Sequence, residues 1–486
     1  MRAVALSVIV AILLCACAAP TPLRSSSAEG ALQTFPVPDS SDDLVGIAIS
    51  GGGSRAATFA SYVLEELARI DVSAQRPSTS LLEKVQYISS VSGGSLSAAY
   101  YSMRKPEKSK PVLDAGALSP DYQNFFRAYQ TAMQQSWEEA LWQVSLGDAT
   151  RRAQFIARRW DEQLFHDATF ADLERREQAG DSPRLILNGT SWGTGRRMLF
   201  TTLPGTAFNY DFVGETLRYL EGSGMPNDEF KILEAHMKAE TERFQPMTFD
   251  QLAADLGPVR MSYAVASSSS VPLLIGPVLF TVPLKEGGTQ LLHIGDGGMF
   301  DNQGIESMAQ LFFGQLRAAK GEQPPTRRGL IVIIDASYPF DSTGGAFSKA
   351  TNLLELLNRS PSRVYDIMEQ RAQAYQLMLW TVLRADAARR AADADSPGQV
   401  VPDTSHLRVI YLRHTDAADL QMAVPAGCDI RAADEEDRKV QLKAKLASIP
   451  TRFKIEPKCD APLLAAAAKA LVEHQAPRIA EFFQPR

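Results

Sequence analysis

Histidine and cysteine are scarce, at six and four in 486 residues, and nowhere do they fall at the spacing of a metal-ligand set. Asp301 and Glu306 are the carboxylates left in a position to hold a cation, with plain solvated carboxylates as the alternative. An excess of positive charge is also missing. Fifty Lys and Arg stand against 56 Asp and Glu, a net charge of −6, so the basic footprint of a nucleic-acid-binding protein is absent. No Gly-Lys-Ser or Gly-Lys-Thr occurs, which removes a phosphate-binding P-loop. The apolar run from Ala3 to Leu14 is shorter than the roughly 20 residues a membrane-spanning helix needs. There is no internal repeat, and no Pro- or Gly-rich linker cuts the chain beyond its N-terminal tail. None of this calls for a cofactor. With 45% hydrophobic and 22% charged residues, the composition is that of an ordinary globular protein.

What is present begins with targeting. Met1-Arg2 and the apolar run behind it form a signal peptide rather than a folded element. The run ends Leu14-Cys15-Ala16-Cys17, which resembles the bacterial lipoprotein cleavage box. The resemblance implies a signal peptide over 1–16 and lipidation of Cys17; an ordinary cleaved signal is the alternative. Ala18 is not acidic, which leans toward the outer membrane, on its periplasmic side. Several acyl chains on one cysteine would hold the protein at a membrane surface. Residues 17–42, rich in Ser, Pro and Ala, are expected to be a flexible tether. Cys428 and Cys459 remain in the mature chain, either as a disulfide or as two buried thiols.

From 43 to 486 the pattern is one α/β domain. Leu44–Ile49 and Val85–Val91 are apolar runs, each breaking into glycines and then into helical periodicity, through Phe59, Val63, Leu64 and Leu67 in the first case and Ser95–Met103 in the second. Strands apolar on both faces predict a mostly parallel sheet covered by helices on either side. Residues 104–182 contain no strong strand and read as a helical insertion. Phe126, Tyr129, Met133, Trp137 and Leu141 fall on one helical face there, as a core stripe or as a lid above the site. Strands resume at Arg184–Thr190, with a hairpin into Arg197–Thr201, and at Val278–Val282, Leu291–Ile294, Gly329–Asp335 and His406–Leu412. Helices are expected at Ile305–Ala318 and Leu353–Leu383, a loop in the later part of Asp386–Pro402, and a helical extension over 413–486.

Three glycine-rich strand ends carry the chemistry. Ser90-Val91-Ser92-Gly93-Gly94 is a nucleophile-elbow pattern with serine in place of its first glycine. Gly51-Gly52-Gly53 fits an oxyanion hole, a structural turn, or a loose dinucleotide fingerprint with Ala56 and with Asp71 about 20 residues on. The dinucleotide reading leaves Ser92 unexplained. Asp296-Gly297-Gly298 supplies a carboxylate. A Ser-Asp-His triad is also available in sequence order through Asp335 and His406 or His414. Against it, the glycine loop lies only one helix before Ser92. His293 stands three residues before Asp296 and so points to the opposite face of its strand.

Together these blocks resemble the patatin-like phospholipase family, with its G-G-G-x-R/K-G stretch, G-x-S-x-G serine and D-G-A/G aspartate. The resemblance covers roughly Leu44 to Glu306. Ser267-Ser268-Ser269-Ser270-Val271-Pro272, Asn188-Gly189-Thr190 and Asn302 add to it; Ala56 and Ser90 depart from it, standing where glycine is usual. It implies a three-layer α/β/α fold and a Ser-Asp dyad without histidine: Ser92 as nucleophile, Asp296 as general base, and Gly51, Gly52 and Gly53 as the oxyanion hole. Gly94, Gly297 and Gly298 would keep the turns tight, and Arg55 would either fix the glycine loop or sit salt-bridged at the surface. The implied substrate is a lipid carboxylic ester, such as a phospholipid or lysophospholipid. A catalytically silent lipid-binding or envelope-scaffold protein and a Ser-His-Asp esterase are the alternatives.

Overall fold

The computed structural model describes residues 19–484 except 33, 36–42, 74–76, 139–148, 273, 285, 319–327, 403–406 and, but for four positions, 338–400. The signal peptide, Cys17, Leu141, His406, nearly all of Leu353–Leu383 and most of Asp386–Pro402 lie outside the described residues.

Among the described residues, one ten-stranded sheet runs through the molecule. Its main strands are β1 (Thr21–Pro22), β2 (Leu44–Ile49), β3 (Tyr87–Val91), β4 (Arg184–Ser191), β5 (Arg197–Phe200), β6 (Val278–Pro283), β7 (Thr289–Asp296), β8 (Gly329–Asp335) and β9 (Leu407–Arg413). The spatial order is β1-β6-β7-β4-β3-β2-β8-β9, with β5 paired to β4. From β9 to β4 every pairing is parallel; β7 joins β4 antiparallel, and β6 joins β7 the same way. The central strands are parallel because each returns to the sheet through a helix. All six residues of β2 are buried, as expected of a strand covered on both faces.

The two faces are built by alternation. Val45, Ile47 and Ile49 of β2 face α1 (Gly53–Ala68) and its neighbours α2 (Gly93–Arg104), α3 (Pro120–Met133) and α9 (Asp460–Phe482). Leu44 and Ala48 face the other way, onto Met308, Ala309 and Phe312 of α7 (Ile305–Gln315). This is the three-layer α/β/α arrangement predicted above. Residues 104–182 carry α3, α4 (Ala149–Trp160) and α5 (Phe170–Ala179), and a short antiparallel strand pair at Leu113–Asp114 and Ala117–Leu118. Their aromatic stripe is core: Phe126, Tyr129, Met133 and Trp137 are all buried. Trp137 lies beyond the end of α3, however, where its N–H donates to the Phe453 carbonyl at 2.7 Å. The helix expected through Ala318 stops at Gln315, and Arg317–Ala318 pairs instead with Val401–Pro402.

The expected tether is not free where it is described. β1 pairs with β6 at Thr21↔Phe280, Leu23 and Ala31 are buried, and Arg24 reaches the buried Asp255 at 2.6 Å. Asp255 also accepts the Leu32 N–H at 2.9 Å. Loop-like composition concealed a strand of two residues and one anchoring ion pair.

Cys428 and Cys459 form a disulfide, their Cα atoms 4.9 Å apart, which fastens the chain at Cys428 to the start of α9. Closing a loop of this length stabilises the folded chain by about 3.5 kcal/mol in the chain-entropy model. The Cys428→Ser/Cys459→Ser pair is expected to lose about that much in a denaturant titration.

A buried acid on α5 sets a pH dependence. The Glu177 carboxyl accepts the Leu185 N–H at 2.9 Å and the Thr202 hydroxyl, with Arg184 at 3.5 Å. Burial dominates and pushes its pKa up to about 7. A carboxyl that holds its proton more tightly in the folded state contributes stability below its ordinary value near 4.5, and that stability is lost as pH rises through about 7. Melting temperature is therefore expected to fall from pH 5 to 7.5, and Glu177→Gln is expected to flatten the fall.

Candidate active site

The elbow at Ser92 is strained in the way a nucleophile turn requires. β3 ends at Val91, α2 begins at Gly93, and Ser92 between them has φ 54° and ψ −125°. A side-chain-bearing residue held there costs about 1–3 kcal/mol, so the surroundings must enforce it. A Cβ on Gly93 would lie 2.0 Å from the Gly53 carbonyl oxygen, and one on Gly94 2.4 Å from that of Ser50. Glycine at both positions lets the elbow press against the Gly51–Gly53 loop.

That loop starts α1. Gly52 has φ 141° and Gly53 φ 59°, conformations side chains rarely adopt. A Cβ on Gly51 would lie 3.2 Å from the Ser92 Cβ, so the loop and the nucleophile candidate are neighbours. The three N–H groups of this loop are not equivalent. The Gly51 N–H already donates to the Asn302 carbonyl at 2.8 Å. Gly52 and Gly53 open a helix, where backbone N–H groups have no intrahelical acceptor, and among the described residues nothing accepts from them. Two donors therefore point from a helix N-terminus, which favours negative charge.

The third piece arrives on β7. Asp296 pairs with Gly189 of β4, one residue past the level at which Asn188 pairs with Val91. A Cβ on Gly297 would lie 3.1 Å from Val91 Cγ1. The Asp296 carboxylate is buried, with Oδ1 accepting the Gly298 N–H at 2.8 Å, and the Asp296 carbonyl accepts the Thr190 hydroxyl at 2.8 Å.

Ser268, at the end of α6 (Met261–Ser268), staples the two strand ends. Its hydroxyl accepts the Ser92 N–H at 3.0 Å and donates to the Asn188 carbonyl at 2.6 Å. Its carbonyl accepts the Gly297 N–H at 3.2 Å, and that of Ser270 accepts the Asp296 N–H at 3.0 Å. No role for Ser268 follows from its position in a run of four serines; the run itself was the signal.

The two departures from the glycine pattern are accommodated. The Ser90 hydroxyl lies 3.2 Å from that of Ser95, which in turn bonds Ser268 at 2.9 Å. Ala56 is buried in the first turns of α1. Arg55 is wholly buried rather than at the surface. It donates through Nε to the Ala336 carbonyl at 2.8 Å, through Nη1 to that of Ile449 at 2.5 Å and through Nη2 to the Thr451 hydroxyl at 3.0 Å.

The other candidates are structural. Asp301 caps the following turn, accepting the Gln303 N–H at 3.1 Å and the Glu306 N–H at 2.7 Å, and Glu306 lies 3.2 Å from Arg197. Asp71 closes its own loop on the Ser73 and Thr79 N–H groups. Asp335 is held by Gln303, Tyr411, Arg413 and Ser337. Burial pushes its carboxyl up, but Arg413 and the bonds from Ser337 and Tyr411 outweigh it and hold it below its usual range. His414 contacts the Asp335 carbonyl, at 3.3 Å, and not the carboxylate. Burial and the nearby Arg55 keep His414 well below its usual pKa, hence neutral. It follows β9, three strands from β3, or about 14 Å away at ordinary strand spacing. The structure does not assemble a Ser92–His414–Asp335 triad.

The sequence model of the patatin-like phospholipase family matches residues 47–309, more than half of the chain and all three glycine-rich strand ends. The chain belongs to the patatin-like phospholipase family. No curated protein sequence matches it. Among solved structures, human GIVD cytosolic phospholipase A2 is similar at 12% identity, with a TM-score of 0.43, 92% of this chain and 60% of that one covered. The same human protein in complex with methyl gamma-linolenyl fluorophosphonate and terbium chloride gives 15% identity, a TM-score of 0.44 and coverage of 93% and 60%. VipD from Legionella pneumophila gives 11% identity, a TM-score of 0.23 and coverage of 88% and 70%. The chain thus spans about 60% of the length of the human structures. In this patatin-like chain the family's three motifs converge on one edge of the sheet, at the carboxyl ends of β2 and β3 and the end of β7.

Proposed function

We propose that the chain is a serine acyl hydrolase that cleaves lipid carboxylic esters, phospholipids or lysophospholipids, with a Ser92–Asp296 dyad. The observation that carries the reading is the left-handed Ser92 elbow, packed against Gly51–Gly53 and tied through Ser268 to the Asp296 turn. In this mechanism Asp296 takes the Ser92 hydroxyl proton as Oγ attacks the ester carbonyl. The Gly52 and Gly53 N–H groups receive the oxyanion, each well-placed donor being worth about 3–4 kcal/mol. The tetrahedral species collapses, the alcohol leaves with the proton from Asp296, and Ser92 is acylated. Asp296 then takes a proton from water, whose oxygen attacks the acyl carbonyl; fatty acid departs and the proton returns to Ser92 Oγ.

The lipidated placement at the periplasmic face of the outer membrane is part of the same proposal. The Cys428–Cys459 disulfide supports an oxidising compartment.

A fluorophosphonate probe tests the nucleophile. Ser92 Oγ is expected to displace fluoride and become covalently phosphonylated, and Ser92→Ala to take up no label. Equal labelling of the two proteins would place the reactive serine elsewhere. A folded wild type that takes no label would favour the silent lipid-binding alternative.

A further inference from the structure

Ser92 and Asp296 stand on strands that are not neighbours. β4 lies between β3 and β7, with Asn188 paired to Val91 and Gly189 paired to Asp296. Ordinary strand spacing puts β3 and β7 about 10 Å apart. The reach from nucleophile to base therefore depends on how the end of β4 holds its two neighbours.

Asn188 is buried and uses every polar atom it has for this. Its Nδ2 donates to the Ser90 carbonyl, two residues before the nucleophile, and to the Ser89 hydroxyl, both at 2.9 Å. Its Oδ1 accepts the hydroxyl of Ser307, on α7, at 2.6 Å. Ser307 Oγ in turn accepts from Arg197 Nη1 at 2.6 Å. Arg197 is buried on β5, where Nη2 donates to Gln310 Oε1 at 2.7 Å and to the Phe244 carbonyl at 3.0 Å.

A guanidinium can only donate, so it fixes the direction of each hydrogen downstream. Arg197 gives a hydrogen to Ser307, and the one hydroxyl hydrogen of Ser307 goes to Asn188 Oδ1. Both Nδ2 hydrogens are thereby turned toward β3. Ser89 accepts one of them and gives its own to the Gly304 carbonyl at 2.6 Å. A reversed carboxamide would set Oδ1 against the Ser90 carbonyl, two acceptors with no hydrogen between them. Buried bonds chained from a cation in this way polarise one another.

The backbone of Asn188 serves the base. Its carbonyl accepts the Ser268 hydroxyl hydrogen at 2.6 Å, which leaves a Ser268 lone pair for the Ser92 N–H at 3.0 Å. A Cβ on Gly297 would lie 2.2 Å from the same carbonyl oxygen, so the turn after Asp296 rests directly on Asn188.

We propose that Asn188 is a positioning residue for acylation of Ser92. Its carboxamide fixes the elbow strand, and its carbonyl fixes Ser268 and the Asp296 turn. It acts through Ser90 and Ser268, and it rests on the Ser92–Asp296 reading above, which it deepens.

The test follows phosphonylation of the full chain by a fluorophosphonate at pH 8, beside hydrolysis of a dissolved short-chain ester. Rates are referred to the folded fraction, measured by circular dichroism. Asn188→Asp keeps the shape and the acceptor for Ser307 but replaces the donor to Ser90 with an acceptor. It is expected to react about 10- to 100-fold more slowly than wild type, with kcat falling in step and KM changed by less than about twofold. Ser307→Ala leaves the carboxamide in place but unoriented, and is expected to lose about 3- to 10-fold. Should Asn188→Asp not fold, Ser307→Ala decides. A purely structural role would lower the folded fraction and leave the rate per folded molecule unchanged. A folded variant reacting within about twofold of wild type would therefore overturn the proposal, and so would a loss carried wholly by KM, which would place Asn188 in substrate binding. A wild type that takes no label would overturn the serine hydrolase reading itself, and the proposal with it.

Discussion

Ser92→Ala is expected to abolish ester hydrolysis, lowering kcat by at least about 10⁴-fold, because no other atom can carry the acyl group. Asp296→Asn is expected to lower it by about 10²- to 10⁴-fold, the range for loss of a positioned general base. Both proteins should fold. An asparagine Oδ1 can still accept the Gly298 N–H that Asp296 Oδ1 accepts now, and the elbow is enforced by the Ser92 N–H bond to Ser268 and by the close approach of Gly93 to Gly53, which alanine at 92 leaves in place. The companion variant is His414→Gln. His414 is neutral, fully buried and three strands away, so its loss should leave the shape of the pH–rate profile unchanged. If Asp296→Asn keeps near wild-type activity while His414→Gln removes the acidic limb of the profile, the base is the histidine and the dyad is wrong. Circular dichroism and initial rates on a dissolved short-chain ester, measured on all three, decide it.

The central strands and the motifs were legible because one local signal governs each. A run such as Leu44–Ile49, apolar at every position, is compatible with burial on both faces and little else. Two glycines after Ser92 mark a turn with no room for side chains, and the Gly53 and Ser50 carbonyls occupy that room. The insertion's aromatic stripe gave away its burial by spacing but not its helix end, because Trp137 is placed by a bond to Phe453, more than 300 residues on. The same long-range dependence hid β1. Its two residues carry no periodicity, and the ion pair that holds them, Arg24 to Asp255, joins residues 231 apart in the chain. At the site, side-chain roles could be read and backbone roles could not. Gly51, Gly52 and Gly53 are equivalent as letters, and only the bond to Asn302 separates the first from the other two. Ser268 was hidden for a related reason: which of four consecutive serines reaches Ser92 depends on where α6 ends.

Arg55→Ala is expected to destabilise the fold by about 2–6 kcal/mol, since two buried carbonyls lose their donor at about 1–3 kcal/mol each. Two buried carbonyls, those of Ala336 and Ile449, lose a donor away from solvent, and the hydroxyl of the exposed Thr451 loses a third. The chain around these acceptors supports the glycine loop directly. The Ser54 N–H donates to the Arg452 carbonyl at 2.7 Å, and a Cβ on Gly53 would lie 2.4 Å from that same oxygen. Arg55 therefore braces the 449–452 segment, and that segment sets where the Gly52 and Gly53 N–H groups point. A positioning residue of this kind acts on the transition state, so folded Arg55→Ala is expected to lose about 10- to 100-fold in kcat with little change in KM. Arg55→Lys keeps the charge but reaches one acceptor at a time, because a single ammonium replaces a planar fork. It should recover part of the stability and less of the rate. Denaturant titration gives the first quantity and steady-state kinetics on the dissolved ester the second. A variant that loses stability while its folded fraction keeps the wild-type kcat would reduce Arg55 to a core brace with no hold on the oxyanion loop.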